Sequence, residues 1–275
     1  NWKKRSEKQR KGWCIMLCRE IMQVIEASYP REAALDFDNV GLLAGRADKE
    51  VERVYIALDA VDAVIDRAIE AGADMLITHH PLIFSPLKKI TDEDFISRRI
   101  VKLIQNDISY YAMHTNYDVL GMAELSEKIL GIRDPEVLDV TMEKEGRPEG
   151  IGRVGALEKP MTLEECCVYV KHRLNLGSLK VFGDMQAEVS RLAISPGSGK
   201  TAIAAAIAKG ADVLVTGDIG HHDGLDAVEQ GLAVIDAGHY GTEYIFIDDM
   251  RNFLTDKLPV LDVMTTPVIH PFQVV

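Results

Sequence analysis

No stretch of this 275-residue chain approaches the ~20 consecutive apolar residues that a membrane-crossing helix needs. The longest, Ala202 to Ala208, is mostly alanine and stops at Lys209, so no membrane span is expected. Cysteine is scarce as well: Cys14, Cys18, Cys166 and Cys167 are all there are, and none has the C-x-x-C spacing of a zinc ribbon or a redox motif. Cys14 and Cys18 are spaced for one helix face, and all four are expected to be reduced, structural thiols. Nor is a secretory leader expected. The apolar stretch Trp13 to Cys18 ends at Arg19, too short for a signal-peptide core, and no small-residue cleavage site follows. These absences lead to the expectation of a cytoplasmic protein.

Basic charge is in deficit, with 31 Lys and Arg against 43 Asp and Glu, a net −12. Six basic residues against Glu7 give the first 15 residues a net charge of +5, which leaves −17 on the rest. An acidic body of that size repels phosphate backbones, so nucleic acid is not expected as a partner. The basic segment 1–15 is expected to be a disordered, frayed end or part of an upstream extension rather than an RNA-binding arm. Disorder of the whole is excluded by a hydrophobic content of 47%, ample for one large or two modest cores.

What is present alternates. A helical period over Met16–Ala27 is followed by a Gly-rich turn segment, Asp36 to Gly45. Strands are expected at Arg53–Leu58, Asp74–His79 and Ile108–His114, with helices Val61–Ala71 and Asp92–Asn106 between them. The stretch Gly131–Lys159, rich in Pro, Gly and charge, reads as a crossing between subdomains. Beyond it come helix Thr162–Asn175, strands Leu179–Gly183 and Glu188–Ser195, helix Lys200–Lys209, strand Asp212–Gly217, helix Gly224–Gln230, strand Ala233–Ala237, helix Glu243–Asp256 and a strand near Val260–Thr265. Such alternation predicts an α/β layer fold with largely parallel strands. The halves also echo each other: Gly72-Ala-Asp-Met-Leu-Ile-Thr78 aligns with Gly210-Ala-Asp-Val-Leu-Val-Thr216, and His114-x-x-x-Asp118 with His239-x-x-x-Glu243. Two matches in the same order predict an internal duplication.

Histidines gather where this pattern places strand ends. His79 and His80 sit where a strand gives way to a loop at Pro81, so both rings can turn into one cavity; the bland alternative is one buried ring and one solvated. In His114/Asp118 and His239/Glu243 the carboxylate lies one helical turn from the ring, as a ligand pair or as a helix cap beside a core histidine. More N and O candidates than a structural zinc site uses, and no usable thiol, suit a two-metal site with open positions. Asp218 and His222, again four apart, are candidate ligands, orienters of a ligand or acid–base groups, with a solvated turn as the alternative; a pocket role is favoured. Pro196-Gly-Ser-Gly-Lys-Thr201 looks like a P-loop, but Ile194 stands where the first glycine is required. Its backbone N–H groups could still receive an anion, or form a tight turn with no ligand.

Asp38-Asn-Val-Gly-Leu-Leu-Ala-Gly45, Thr78-His-His-Pro-Leu-Ile-Phe84, His114-Thr-Asn-Tyr-Asp118, Thr216-Gly-Asp218 with His222-Asp223, and Asp236-Ala-Gly-His-Tyr-Gly-Thr-Glu243 occur in that order. Together they resemble the GTP cyclohydrolase I type 2 homologs, also called NIF-three-like proteins, over nearly the whole chain from Met16. The resemblance implies two interlocked α/β subdomains around a dinuclear site, and a toroidal homohexamer. The subdomain limits are expected at 16–135 plus 239–275 and at 136–238. Metal ligands carry over to His79, His80, Asp118, His239 and Glu243, holding two divalent ions (Zn, Fe or Mn), while His114 and His222 match pocket-lining positions. The implied chemistry is metal-dependent hydrolysis of a small anionic, nucleotide-like substrate such as GTP, with His114, Asp218 or His222 moving protons. The alternative is a non-catalytic metal-binding, metal-delivery or regulatory protein with the same ligands.

Overall fold

The computed structural model describes residues 15–273 and 275; the basic segment 1–15, apart from Ile15, and with it Cys14, lies outside them. The described chain forms two units. The first runs to Asn116 and resumes over Phe246–Pro267, and the second takes Tyr117–Ile245 and Val268–Val275. The sequence reading set these limits at 135/136 and 238/239. The chain changes unit earlier because Leu130 and Ile132 are buried among the second unit's core residues. It returns later because the turn after residue 238 packs on two strands of that same unit.

The first unit opens with β1 (Met16–Leu17), α1 (Cys18–Ser28), β2 (Gly41–Ala44), β3 (Glu50–Val51) and β4 (Arg53–Ala57). It continues with α2 (Asp62–Glu70), β5 (Met75–Thr78), α3 (Phe95–Gln105) and β6 (Ser109–Ala112). The second unit holds α4 (Ala123–Leu130), β7 (Arg133–Lys144), β8 (Arg147–Thr162), α5 (Leu163–Arg173), β9 (Lys180–Phe182) and β10 (Glu188–Ser198). After them come α6 (Ala202–Ala208), β11 (Val213–Gly217), α7 (His221–Glu229), β12 (Ala233–Asp236) and α8 (His239–Glu243). The chain then crosses within α9 (Ile245–Lys257) to β13 (Asp262–Thr265) of the first unit.

The first unit's main sheet has the order β13-β4-β5-β6-β2. Four of its strands are parallel and β2 runs antiparallel to β6. Every residue of β5 is buried, as expected of a strand covered on both faces. Ile65 and Ala68 of α2 and Ile100 and Leu103 of α3 join Tyr55, Leu76 and Tyr110 in one core. β2 lies in what the sequence suggested was a turn; it has only four residues, and Gly41 has φ +104°. The second sheet, ordered β7-β8-β10-β11-β12-β9, is mixed: only β10, β11 and β12 are mutually parallel. The largely parallel pattern expected from the sequence therefore describes the first sheet and the centre of the second. Val213 and Val215 point to a core with Cys166 and Val170 of α5, while Leu214 points oppositely, toward Ala202 and Ala206 of α6.

Residues 131–159, read as a crossing, mostly form the β7–β8 hairpin, closed by Glu145 and Gly146 at positive φ. β7 is an edge strand with most of its residues exposed, so its polar composition resembled a linker. The helix expected over Glu243–Asp256 is two helices, α8 and α9, and α7 starts at His221 rather than at Gly224.

The echo in sequence has a counterpart in backbone geometry. Asp74 Oδ2 accepts the N–H groups of Glu52 and Arg53, and Asp212 Oδ2 those of Ser190 and Arg191. The glycines two residues earlier, Gly72 and Gly210, both have φ +65°. Thr78 pairs with Ala112 and Thr216 with Asp236. By that register His114 corresponds to Gly238, so the His114/His239 match is offset by one residue.

Candidate metal centre

In the first unit, β4, β5 and β6 end side by side, because parallel strands in register deliver their carboxyl ends to one edge. Asp59 follows β4, His79 and His80 follow β5, and His114 follows β6. The turn after β5 is fixed by Tyr110, whose hydroxyl donates to the His80 carbonyl at 3.0 Å and accepts from Leu82 N–H at 2.7 Å. Burial pushes the Tyr110 pKa up to about 12, so it stays a neutral donor.

Each of the three imidazoles has its Nδ1 engaged. His79 Nδ1 donates to the Met113 carbonyl at 2.8 Å, His80 Nδ1 meets Asp59 Oδ1 at 2.7 Å, and His114 Nδ1 meets Asp38 Oδ1 at 2.8 Å. An acceptor at Nδ1 selects the tautomer with its lone pair on Nε2, the arrangement common behind metal-ligating histidines. His79 is fully buried. Ring centroids lie 4.9, 5.4 and 5.7 Å apart, and the three rings offer ligand nitrogens within 4.8 Å of one another. That donor set fits a borderline divalent cation such as Zn, Fe or Mn.

Asp38 is held in turn. Its Oδ2 accepts from the Thr115 amide at 2.9 Å and from the Thr115 hydroxyl. Burial would raise its pKa, but the hydrogen bonds from His114 and Thr115 outweigh that and keep it ionised well below the usual carboxylate range. Asn116 Oδ1 accepts the His114 amide at 3.1 Å, which fixes the loop after β6. Asp59 was not singled out from sequence, and Asp38 appeared only as part of a motif. The available signal was position: Asp59 follows the end of a strand expected to neighbour the one ending at His79.

In the second unit, His239 opens α8 and Glu243 closes it, one turn on. His239 Nε2 lies 3.1 Å from Glu243 Oε2, and its Nδ1 lies 2.6 Å from Asp218 Oδ2. The hydrogen bond to Glu243 comes first among the causes that raise the His239 pKa to about 9 in the metal-free chain; Asp218 adds to it and burial opposes it. Glycines make room for this pair. A Cβ on Gly197 (φ +72°) would stand 2.2 Å from Glu243 Oε1, and one on Gly217 would stand 2.4 Å from the His239 amide nitrogen. A Cβ on Gly199 would stand 1.7 Å from Thr216 Oγ1, so both glycines of the P-loop-like segment are explained by clearance. The N–H groups of both glycines are engaged as well: Gly197 N–H donates to Thr242 Oγ1 and Gly199 N–H to the Gly217 carbonyl.

A brace holds the two loops of this half. Asp236, 7% exposed, accepts Gly238 N–H on Oδ1 and Ile219 N–H on Oδ2. Lys180 Nζ meets Asp236 Oδ2 and donates to the Ile219 carbonyl, both at 2.7 Å. Asp118 opens the wide π-type turn Asp118–Met122 in this unit. Asp218, at φ +58°, orients His239. His222 is exposed on the first turn of α7, its ring against His221.

These features define a mixed α/β protein of two sheets with clustered His, Asp and Glu side chains able to hold metal. Residues 16–271 match the Duf34/NIF3 (NGG1p interacting factor 3) family, and the chain belongs to it, in agreement with the motif resemblance. It is 37% identical over 253 residues to a GTP cyclohydrolase 1 type 2 homolog of Clostridium acetobutylicum, covering 91% of this chain and 94% of the relative. A protein of the same name from Methanocaldococcus jannaschii is 32% identical over 88% of this chain and 96% of its own. Among solved structures, a Bacillus cereus protein related to NIF3 superposes with TM-score 0.89 at 27% identity, over 95% of this chain and 99% of that one. A Staphylococcus aureus protein does so with TM-score 0.85 at 30% identity, over 94% and 99%. Among the described residues no helix is long and apolar enough to cross a membrane.

Proposed function

We propose that His79, His80, Asp118, His239 and Glu243 together hold two divalent metal ions, and that the centre hydrolyses a nucleotide-like substrate. The observation that carries this reading is the pair His79 and His80, whose Nδ1 atoms are held by the Met113 carbonyl and by Asp59 so that each presents its lone pair on Nε2, with a nitrogen of His114 within 4.8 Å of theirs. The names of the relatives, GTP cyclohydrolase 1 type 2 homologs, supply the substrate class. Ions bound there would act as Lewis acids and lower the pKa of coordinated water toward ~7.

The chain's own contribution is orientation and proton handling. Asp59 and the Met113 carbonyl fix the rings of His80 and His79, and Asp218 fixes that of His239. His114, backed by the ionised Asp38, is assigned the proton-moving role: a base needs a third group to hold its tautomer, and Asp38 supplies it. His222 remains a candidate for substrate contact. The repeated strand–helix–strand geometry supports descent of the two units from one duplicated segment, and a ring-shaped homohexamer is proposed as the assembly.

The test is elemental analysis of protein purified without chelator or tag metal, then re-supplied with Mn, Fe or Zn, followed by assay of GTP for released formate. About two ions per chain is the expected result. H79A and H239A should lose metal, and H114A should keep metal while losing turnover. Normal metal content in H79A and H239A would refute the ligand assignment. Two ions with no turnover on any nucleotide would favour metal storage or delivery.

A further inference from the structure

The residues after β13 fold back onto the second unit. Ile269 N–H donates to the Tyr240 hydroxyl at 3.1 Å, and the His270 ring packs edge-on against Tyr240 at 5.3 Å. This contact carries Phe272 to a cavity of about 370 Å³ lined by Ser178, Lys180, Asp218, Asp236, Gly238 and Phe272 itself. A second cavity of about 460 Å³ shares Ser178, Ala237 and Phe272 with the first, so the Phe272 ring stands between two spaces; it is 57% exposed. Both volumes are of the size that holds small molecules, roughly 300–1,000 Å³.

The chemistry of the lining narrows the occupant. Lys180 already meets Asp236 and the Ile219 carbonyl, and Asp236 is further occupied by two backbone N–H groups. Asp236 is thus fully engaged, and the Lys180 charge is already paired with it. Asp218 uses Oδ2 on His239, while its Oδ1 accepts no hydrogen bond among the described residues. The cavity therefore offers one aromatic face and one carboxylate acceptor, with a net negative charge. A phosphate would be repelled. An aliphatic ligand that covered the half-exposed Asp218 carboxylate would strip water from it without supplying a donor in exchange.

We infer that this cavity is the subsite for the ring of the substrate, a planar nitrogen heterocycle that stacks on Phe272 and presents N–H donors to Asp218. Because Asp218 also orients His239, binding there would set the ring beside the second half of the metal centre. The inference deepens the proposed nucleotide reading and rests on it for the substrate class.

The test uses the metal-loaded full chain and three uncharged probes that differ at the donor edge: guanosine, inosine and adenosine, with affinity measured by calorimetry. Guanosine, with both ring N–H and amino donors, should bind tightest, inosine less tightly, and adenosine at least about tenfold more weakly than guanosine. F272A and F272L should each weaken guanosine about tenfold, and F272W should restore it. Metal content should be unchanged in all three, since Phe272 is exposed and has no donor atom to offer a metal. Equal affinity for the three nucleosides, unaltered guanosine binding in F272L, or no binding by a wild-type chain that holds its metals would each overturn the subsite while leaving the metal centre standing. Absence of metal from the wild type would instead sink the proposed function, and nucleoside discrimination in that metal-free protein would still support the subsite.

Discussion

Replacing Gly197 with alanine isolates what the glycines of residues 196–199 do. Gly197 has φ +72°, where an alanine is disfavoured by roughly 1–2 kcal/mol. The added Cβ would also stand 2.2 Å from Glu243 Oε1 and 3.2 Å from Glu243 Cδ. An ordinary contact begins about 1 Å further out, and the backbone cannot easily yield because Gly197 N–H is tied to Thr242 Oγ1 at 2.9 Å. The carboxylate must therefore withdraw by about that distance, and a misplacement of this size costs on the order of 10²-fold where geometry matters. Gly210 provides the control: its φ is +65°, and a Cβ there meets nothing within 4 Å. G210A bears the backbone cost without the collision. Thermal melts of the metal-free proteins should show both variants destabilised, G197A more so. Metal titrations should show about 100-fold weaker uptake of one ion in G197A only. Equal metal affinity in G197A and G210A would refute the claim that Gly197 makes room for Glu243.

Other expectations concern the supports of the site. D59N should weaken metal uptake by 10- to 100-fold through the freed His80 ring, measured by competition with a chromogenic chelator; wild-type affinity would show that Asp59 has no orienting role. The His239 pKa is raised to about 9, above its ordinary 6.5, so its pairing with Glu243 and Asp218 stabilises the metal-free fold below about pH 6.5 and is lost as pH rises through 9. Metal must displace that proton, so affinity should climb up to about tenfold per unit between pH 7 and 9 and then level off, with proton release seen in weakly buffered solution. Affinity that is flat over that range would contradict this. D74A and D212A should each cost ~1–3 kcal/mol in thermal or urea unfolding by orphaning two backbone N–H groups, and neither should change metal content; loss of metal in either would tie these aspartates to the site.

Residue type and spacing made the first unit readable. Its strands are short, β-branched or aromatic and buried on both faces, and the helices between them have a clean apolar stripe, so β4, β5 and β6 and their strand-end histidines could be placed within a few residues. The β7–β8 hairpin was hidden because an edge strand with one wet face carries the polar composition of a linker. β2 was hidden because four residues leave no periodicity to detect. Site residues that supply chemistry directly, histidines above all, were visible from their clustering. Those that act by orientation were not. Asp59 is one carboxylate among 43 acidic residues, and only the register of β4 against β5 brings it to His80. Gly197 read as a turn residue and Gly217 as the end of a strand, because clearance for groups tens of residues away leaves no local pattern.

The two units put the same backbone frame to different use, and the one-residue offset shows how. In each, a helix, a glycine at φ +65° and an aspartate brace lead into a buried strand with threonine at its last position (Thr78) or last but one (Thr216). In the first unit the next two residues are His79 and His80, and the strand end itself presents the imidazoles. In the second they are Gly217 and Asp218. Gly217 lacks the side chain that would collide with Gly238 and His239, so the loop after the neighbouring strand can close down on it. Asp218 then holds the ring that this loop delivers. A histidine at 217 would fill the space that the His239 backbone occupies. Proposed descent from a single duplicated segment therefore requires paired changes: loss of the strand-end imidazole, and gain of a left-handed glycine at 238 that swings His239 into its place one residue later. Restoring histidine at either position alone should abolish metal binding by the second unit rather than add a ligand to it.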